Sequence, residues 1–367
     1  MKLTTIKAGV LKDALKKAIT SANAETATIT VGAECHVEVS GHEGYSKVDF
    51  QAENMGAAGT ATVSASVANH VMAGVARDES VTFEPNKEGL TMRFGGARLK
   101  LKRSDEEGNL FDDSKLKLEK QLLFRATGAE LLSAFKAATD FAAKKDIRYY
   151  LCGVQMAQKD GVLIATATNG FSLHRLNTGI AVAEGAMESG LIIPTRAAES
   201  IRAVFSADEL VTVNLLGTGL MQFSTDSMNW VSNLVTGQFP NCDAVLREES
   251  SKATKVRVGK KDLVLALQRI QAISGDRYSH VILDAENVVV QSIDKEQVVR
   301  VPSKACEGVL VSLGVTMTLL IEALEAVPTE TVQIATVGPE AKLFIRPVTG
   351  EDTVDDNWVA TLTPARV

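Results

Sequence analysis

Three stretches of this chain carry the same helical stripe. Leu11, Leu15 and Ala18 recur as Leu131, Phe135 and Ala138, and again as Leu263, Leu267 and Ile270. Each set is spaced i, i+4, i+7, so its side chains share one helical face. A second phrase keeps step with the first: Asp78-Glu79-Ser80-Val81-Thr82-Phe83 is echoed by Asp208-Glu209-Leu210-Val211-Thr212-Val213 and by Thr329-Glu330-Thr331-Val332-Gln333-Ile334. The period, about 120 to 130 residues, is far longer than a solenoid unit of roughly 20 to 50 and has the length of a small domain. The chain reads as three copies of one domain in a row.

Each copy is expected to open with a short strand (3–7, 122–126, 255–258), followed by a glycine (Gly9, Gly128, Gly259) and the first helix. Short alternating strands such as 28–31, 162–167 and 288–292 come next. A second helix is expected at 67–76, 196–205 and 316–327, with Val71/Val75, Ile201/Phe205 and Leu320/Leu324 as its i, i+4 pairs, before a closing pair of strands. Asn169-Gly170 suits the positive-φ positions of a tight turn, and Pro194 sits just ahead of a helix, where a missing N–H is harmless. Boundaries are expected near residues 118 and 250, giving domains 1–118, 119–250 and 251–367. The pattern predicts an α+β fold: three tandem domains, each with two helices against about eight mainly antiparallel strands.

The chain has 367 residues, ample for three cores. Only 5% are aromatic, so those cores must be built from Val, Leu, Ile and Ala. Cys35, Cys152, Cys242 and Cys306 are scattered, with no pair or histidine cluster at metal-ligand spacing. Isolated thiols fit the cytosol, and the lysine-rich first residues lack the apolar core of a signal peptide. No apolar run is long enough to span a membrane. The five histidines are isolated; His174 next to Arg175 is a base without a nearby nucleophile. Neither a catalytic constellation nor a cofactor or metal site is expected.

A net charge of −6 argues mildly against nucleic acid, but the charge is unevenly placed. On each first helix, the fifth and sixth positions after the leading Leu should face away from the core. They hold Lys16 and Lys17, then Lys136 and Ala137, then Gln268 and Arg269. Lys12 lies on the first of these helices; Lys144, Lys145, Arg148 and Tyr149 follow the second, and Arg277 follows the third. Arg196 and Arg202 belong to the second helix of copy two. Asp13 and Asp140 dilute the pattern, while most acids crowd into loops.

Other segments carry a family resemblance. Arg148-Tyr149-Tyr150-Leu151-Cys152-Gly153 leads into Ala167-Thr168-Asn169-Gly170-Phe171-Ser172-Leu173. Leu191-Ile192-Ile193-Pro194, Leu234-Val235-Thr236-Gly237-Gln238-Phe239-Pro240-Asn241 and Thr363-Pro364-Ala365-Arg366-Val367 follow in order. Together they resemble the bacterial β sliding clamp, the processivity subunit of DNA polymerase III, over essentially the whole length and most weakly in copy one.

The resemblance implies three similar domains per chain and two chains joined head to tail into a ring around duplex DNA. The ring would be lined by Lys12, Lys16, Lys17, Lys136, Lys144, Lys145, Arg148, Tyr149, Arg196, Arg202, Arg269 and Arg277. It implies a non-catalytic protein without cofactors, whose partners are double-stranded DNA, the replicative polymerase, the clamp loader, other proteins with a clamp-binding motif and a second copy of the chain. The partner-peptide groove between the second and third domains would use Leu151, Thr168, Gly170, Phe171, Ser172, Leu173, Pro240, Ala244, Val245 and Leu246. It would also use Leu362, Thr363, Pro364, Ala365, Arg366 and Val367. The ring interface would join Leu110 and Phe111 of one copy to Ala272 and Ile273 of the other. Phe171 and Ser172 stand where the family commonly has His-Arg, Ala244 replaces an Arg and Ala365 a Met, so the groove is less cationic. A ring-forming scaffold that no longer retains DNA is the competing expectation.

Overall fold

One element order occurs three times among the described residues of the computed structural model: strand, helix, four strands, helix, three strands, with a two-residue strand added near the end of the third copy. The structure describes residues 3–41, 43–102, 113–187, 190–247, 252–350 and 352–367. Copy one comprises β1 (Thr4–Lys7), α1 (Ala8–Ala22), β2 (Thr26–Val31), β3 (His36–Gly41), β4 (Gly44–Asp49), β5 (Gly59–Ser64), α2 (Ala65–Ala73), β6 (Ser80–Asn86), β7 (Gly89–Phe94) and β8 (Ala97–Lys102). Copy two comprises β9 (Lys120–Thr127), α3 (Gly128–Phe141), β10 (Gly153–Lys159), β11 (Val162–Thr168), β12 (Ser172–Ala181), β13 (Leu191–Pro194), α4 (Thr195–Val204), β14 (Leu210–Leu216), β15 (Leu220–Ser224) and β16 (Met228–Asn233). A single helical turn, α5 (Asp243–Leu246), follows it. Copy three comprises β17 (Thr254–Gly259), α6 (Lys260–Ser274), β18 (Tyr278–Leu283), β19 (Asn287–Gln291), β20 (Val298–Glu307), β21 (Val311–Thr316), α7 (Met317–Ala326), β22 (Thr331–Thr336), β23 (Leu343–Thr349), the two-residue β24 (Thr353–Val354) and β25 (Trp358–Leu362).

The repeated phrases have repeated jobs. All nine stripe residues of α1, α3 and α6 are buried, and each of the seven Leu, Ile and Phe side chains among them contributes roughly 1.5–3 kcal/mol when fully buried. The echoed phrase forms the strand beside the opening strand in each copy: β6 on β1, β14 on β9, β22 on β17. Its glutamate carbonyls, at Glu79, Glu209 and Glu330, accept the amides of Ala8, Gly128 and Lys260 at 2.8, 3.0 and 2.8 Å. A helix start leaves four amides without intrahelical partners, and this strand supplies one carbonyl at the same place three times. The start of α3 adds a capping box: the Thr127 amide donates to Glu130 Oε2 at 2.7 Å and the Glu130 amide to Thr127 Oγ1 at 3.3 Å.

The chain forms two compact units. The first contains residues 1–132 and 180–236. It holds a four-stranded sheet, β1-β6-β7-β8, and an eight-stranded sheet, β5-β2-β3-β4-β16-β15-β14-β9. Copy one joins copy two where β4 pairs antiparallel with β16, from Gly44 opposite Ser232 to Val48 opposite Met228. Gly44 has φ 157, and a Cβ there would collide with the Val231 carbonyl oxygen, so only glycine admits β16 this close. Helix α1 packs on β3, β4 and α4, and Trp230 stacks on Phe223 in the core at 4.5 Å.

The second unit contains residues 133–179 and 237–367. Its sheet runs β10-β11-β12-β25-β23-β22-β17-β20-β19-β18-β21, with β24 on β23. Here β12 meets β25, from Ser172 opposite Leu362 to Leu176 opposite Trp358. Helix α6 packs against α7 and over β19 and β20.

The second helix of copy one departs from its expected register. It ends at Ala73, before Gly74, and buries Ala65, Ala68 and Met72, while Val67 is 49% exposed. Val75 is buried but lies beyond the helix, because glycine is a poor helix residue and the turn closes there. Among the described residues the closing strands number three in copies one and two and four in copy three, where β24 is only two residues long, rather than two per copy.

Candidate functional site

The basic helix faces divide into free and partnered cations. Lys16, Lys136, Lys144, Lys145, Arg202 and Arg269 are exposed. Lys17 is only half-exposed, because α4 packs alongside α1 and Glu209 meets its ammonium at 3.1 Å. Ala137, at the matching position of α3, is buried, so the sixth position after the leading Leu faces solvent only in α6. The Lys12 ammonium donates to the carbonyls of Ala73 and Val75, where it ties down the end of α2. Asp13 does not stand as a bare acid: Arg77 grips it through two bonds, of 3.1 and 2.6 Å. Burial raises the Asp140 carboxyl although its edge reaches solvent, with Lys136 and Lys144 pulling the other way.

Arg196 meets Glu43 at 3.2 Å, and the Arg277 guanidinium lies 5.5 Å from the Tyr278 ring centre. Arg148 is clamped by Asp146, with Nε and Nη2 donating at 3.0 and 2.7 Å; that contact holds the Asp146 carboxyl down at about 2. Its guanidinium also leans on Gly170, which places it beside the turn between β11 and β12. Tyr149 is 57% exposed and meets Tyr150 edge-on.

The residues expected to form the groove all fall within the second unit, and their local chemistry explains their placement. Asn169 Oδ1 accepts the amides of Phe171 and Ser172, each at 2.9 Å. Thr168 Oγ1 accepts the Gly170 amide at 3.0 Å and donates to the Ser172 carbonyl at 2.7 Å. Gly170 takes φ 90, which an L side chain strains to adopt. This self-bonded turn presents Phe171 at 64% exposure and returns Ser172 and Leu173 to the interior. Leu151 is buried on a one-turn 3-10 helix, and its carbonyl accepts the Ala143 amide.

Four of the other expected residues lie on or beside α5. Pro240 and Ala244 are exposed and Val245 is half-buried. Leu246 packs on Ala335, Phe344 and Val359. From β25, Leu362 is buried, the Thr363 amide donates to the Phe171 carbonyl and the Ala365 amide to the Gly314 carbonyl, each at 2.9 Å. Pro364 is half-buried, whereas Arg366 and Val367 are exposed.

Two contacts here were not readable in the sequence. Arg175 Nη1 meets Asp243 Oδ1 at 2.6 Å, and Lys342 donates to the Val245 carbonyl at 3.1 Å; both fix α5 from residues far away in the chain. His174 is fully buried, stacked on Phe141 at 5.3 Å and tilted against Trp358 at 4.7 Å. Neither ring nitrogen has a hydrogen-bond partner, and burial depresses its pKa to about 3. It is a core ring, buried away from any substrate, rather than an available base.

Ala272 and Ile273 end α6 in the open, Ile273 at 66% exposure. Leu110 and Phe111 lie outside the described residues. Among the described residues no cluster of His, Cys, Asp or Glu could hold a metal ion, and no helix is long and apolar enough to cross a membrane.

Residues 129–241 match the family model described as DNA polymerase III beta subunit, central domain. The Vibrio cholerae beta sliding clamp is 22% identical over 250 residues, which cover 66% of this chain and 64% of that protein. The Chlamydia muridarum beta sliding clamp is 24% identical over 43% of this chain and 42% of its own length. These curated relatives are thus matched over less than two thirds of their length. A crystal structure of the Pseudomonas aeruginosa DNA polymerase sliding clamp superposes over 100% of both chains with TM-score 0.86 at 19% identity. The Thermotoga maritima DNA polymerase III beta subunit gives TM-score 0.84 at 18% identity, over 100% of this chain and 99% of that one. The chain thus has the fold of the bacterial β sliding clamps and is similar to them at low identity. The threefold α+β repeat of that fold carries both the cationic helices and the residues expected to form the groove.

Proposed function

We propose that the chain is a non-catalytic DNA sliding clamp: two copies joined head to tail encircle duplex DNA, and the groove receives peptides from a polymerase, a clamp loader and other partners. The observation that carries this reading is a joint made twice and left open once. In copies one and two, the third of the four middle strands pairs with the last strand of the next copy: β4 with β16, and β12 with β25. The corresponding strand of copy three is β20, whose residues Val298 to Pro302 pair, among the described residues, only with β19, and the last strand of copy one is β8, which among the described residues pairs only with β7. A second copy closes both edges at once. Val299 and Val301 face inward on β20, as do Ala97, Leu99 and Leu101 on β8, so an antiparallel joint places apolar side chains on the same face. The three domains are assigned boundaries near 118 and 250.

DNA would be held by the ring's closure, with phosphate contacts from the exposed Lys16, Lys136, Arg202 and Arg269 weak enough to slide and sensitive to salt. A second reading, a ring that scaffolds proteins without retaining DNA, is favoured by the partnered state of Lys17, Arg148 and Arg196. One experiment separates them. The protein is loaded on nicked circular DNA with its cognate loader and the circle is then cut. A clamp co-migrates with the circle and runs off the linear ends; protein that never co-migrates leaves only the scaffold. A sedimentation mass of 39.2 kDa rather than twice that value would remove the ring in both readings.

A further inference from the structure

Gly314 sits inside β21, a place where glycine is a poor choice. It has no side chain to pack on the pleated surface and loses more backbone entropy on folding than alanine. Its φ is not in the left-handed region, so conformational freedom is not the reason for it. What lies above it is the reason. A Cβ on Gly314 would overlap the Ala365 carbonyl oxygen and Val367 Cγ2, and the nearest atoms all belong to those two residues. Residues 363–367 are held at two points: Thr363 to the Phe171 carbonyl on the Asn169-Gly170 turn, and Ala365 to the Gly314 carbonyl in an isolated antiparallel bridge. The segment thus runs from the turn that presents Phe171 to β21, the last strand of its sheet order.

We infer that Gly314 is a positioning residue of the groove. Its missing side chain lets residues 363–367 lie flat on β21, which sets where Pro364, Ala365 and Val367 stand relative to Phe171. The inference rests on the proposal that these residues receive a partner peptide. It explains why a strand that would be better served by a β-branched residue keeps a glycine: a second backbone approaches there.

Four proteins test it: the parent, Gly314→Val, a chain ending at Leu362, and that shortened chain with Gly314→Val. Hydrogen exchange reports the Ala365 amide. Fluorescence anisotropy reports binding of a fluorescein-labelled hexapeptide with adjacent leucine and phenylalanine, chosen for the apolar lining. In the full chain, Gly314→Val should abolish protection at Ala365 and weaken the peptide about tenfold, the loss expected for one or two backbone hydrogen bonds and their contacts. Shortening the chain should cost the same, and Gly314→Val should add nothing to it, since the clashing atoms are gone; its thermal midpoint should hold or rise. Protection at Ala365 that survives the valine overturns the inference, as does a valine effect on the peptide that is equally large in the shortened chain. If the parent does not bind the peptide, or shortening leaves its affinity unchanged, the groove reading falls, while exchange at Ala365 still decides whether Gly314 seats the segment.

Discussion

Replacing His174 with leucine should flatten the acid side of the stability curve. In the folded chain the imidazole titrates at about 3, against 6.5 for an unperturbed histidine, and burial is the cause. Between those two values the unfolded chain binds a proton that the folded chain refuses, so stability falls as pH drops below 6.5 and is fully present above it. At pH 5 this one ring should cost about 2 kcal/mol relative to neutral pH. Leucine removes the proton site and keeps an apolar side chain of similar volume between Phe141 and Trp358. It also removes two buried nitrogens without partners, so the variant should be as stable as the parent at pH 7.5, or more so by about 1 kcal/mol. Urea unfolding at pH 7.5 and 5.0 measures both, with tryptophan fluorescence as the probe because Trp358 lies 4.7 Å from the imidazole. Other titrating groups cancel in the difference between the two proteins. If parent and variant lose the same stability between the two pH values, the depressed pKa is wrong, and with it the dry, unpartnered environment assigned to His174.

Other outcomes follow from the same geometry. Changing Lys16, Lys136, Arg202 and Arg269 together to Glu should release the protein from nicked circular DNA at moderate salt with an unchanged circular dichroism spectrum; undiminished retention on a sizing column would remove these residues from the DNA-facing surface. Thr127→Ala should cost about 1 kcal/mol by opening the capping box at the start of α3, read from the urea midpoint, while Ser133→Ala on the same helix's exposed face should cost far less. Gly44→Val should destabilise the first unit by about 3 kcal/mol or more, since the new side chain meets the Val231 carbonyl and φ 157 excludes it; a normal thermal midpoint would mean that β4 and β16 are not joined as described.

Much of the candidate site was legible residue by residue, and the exceptions share a cause. The Thr168–Ser172 turn could be read directly, because its bonds run between neighbours and its glycine needs a positive φ. Lys17, Arg148 and Arg196 read as open cations because nothing local reveals Glu209, Asp146 or Glu43 beside them; even Asp146, two residues from Arg148, reads as another loop acid until the chain bends it back. His174 alternates as a strand residue should, and only its burial between two rings makes it inert.

The repeat, the stripes that α1, α3 and α6 bury, and the strands that cap them are legible along the chain, because period and turn chemistry act over a few neighbouring residues. Folding alone brings together what meets across long separations: β4 with β16, Arg175 with Asp243, and residues 363–367 on Gly314. Charge pairing and close backbone approach depend on where distant segments are brought together, and no local pattern in the chain encodes that distance.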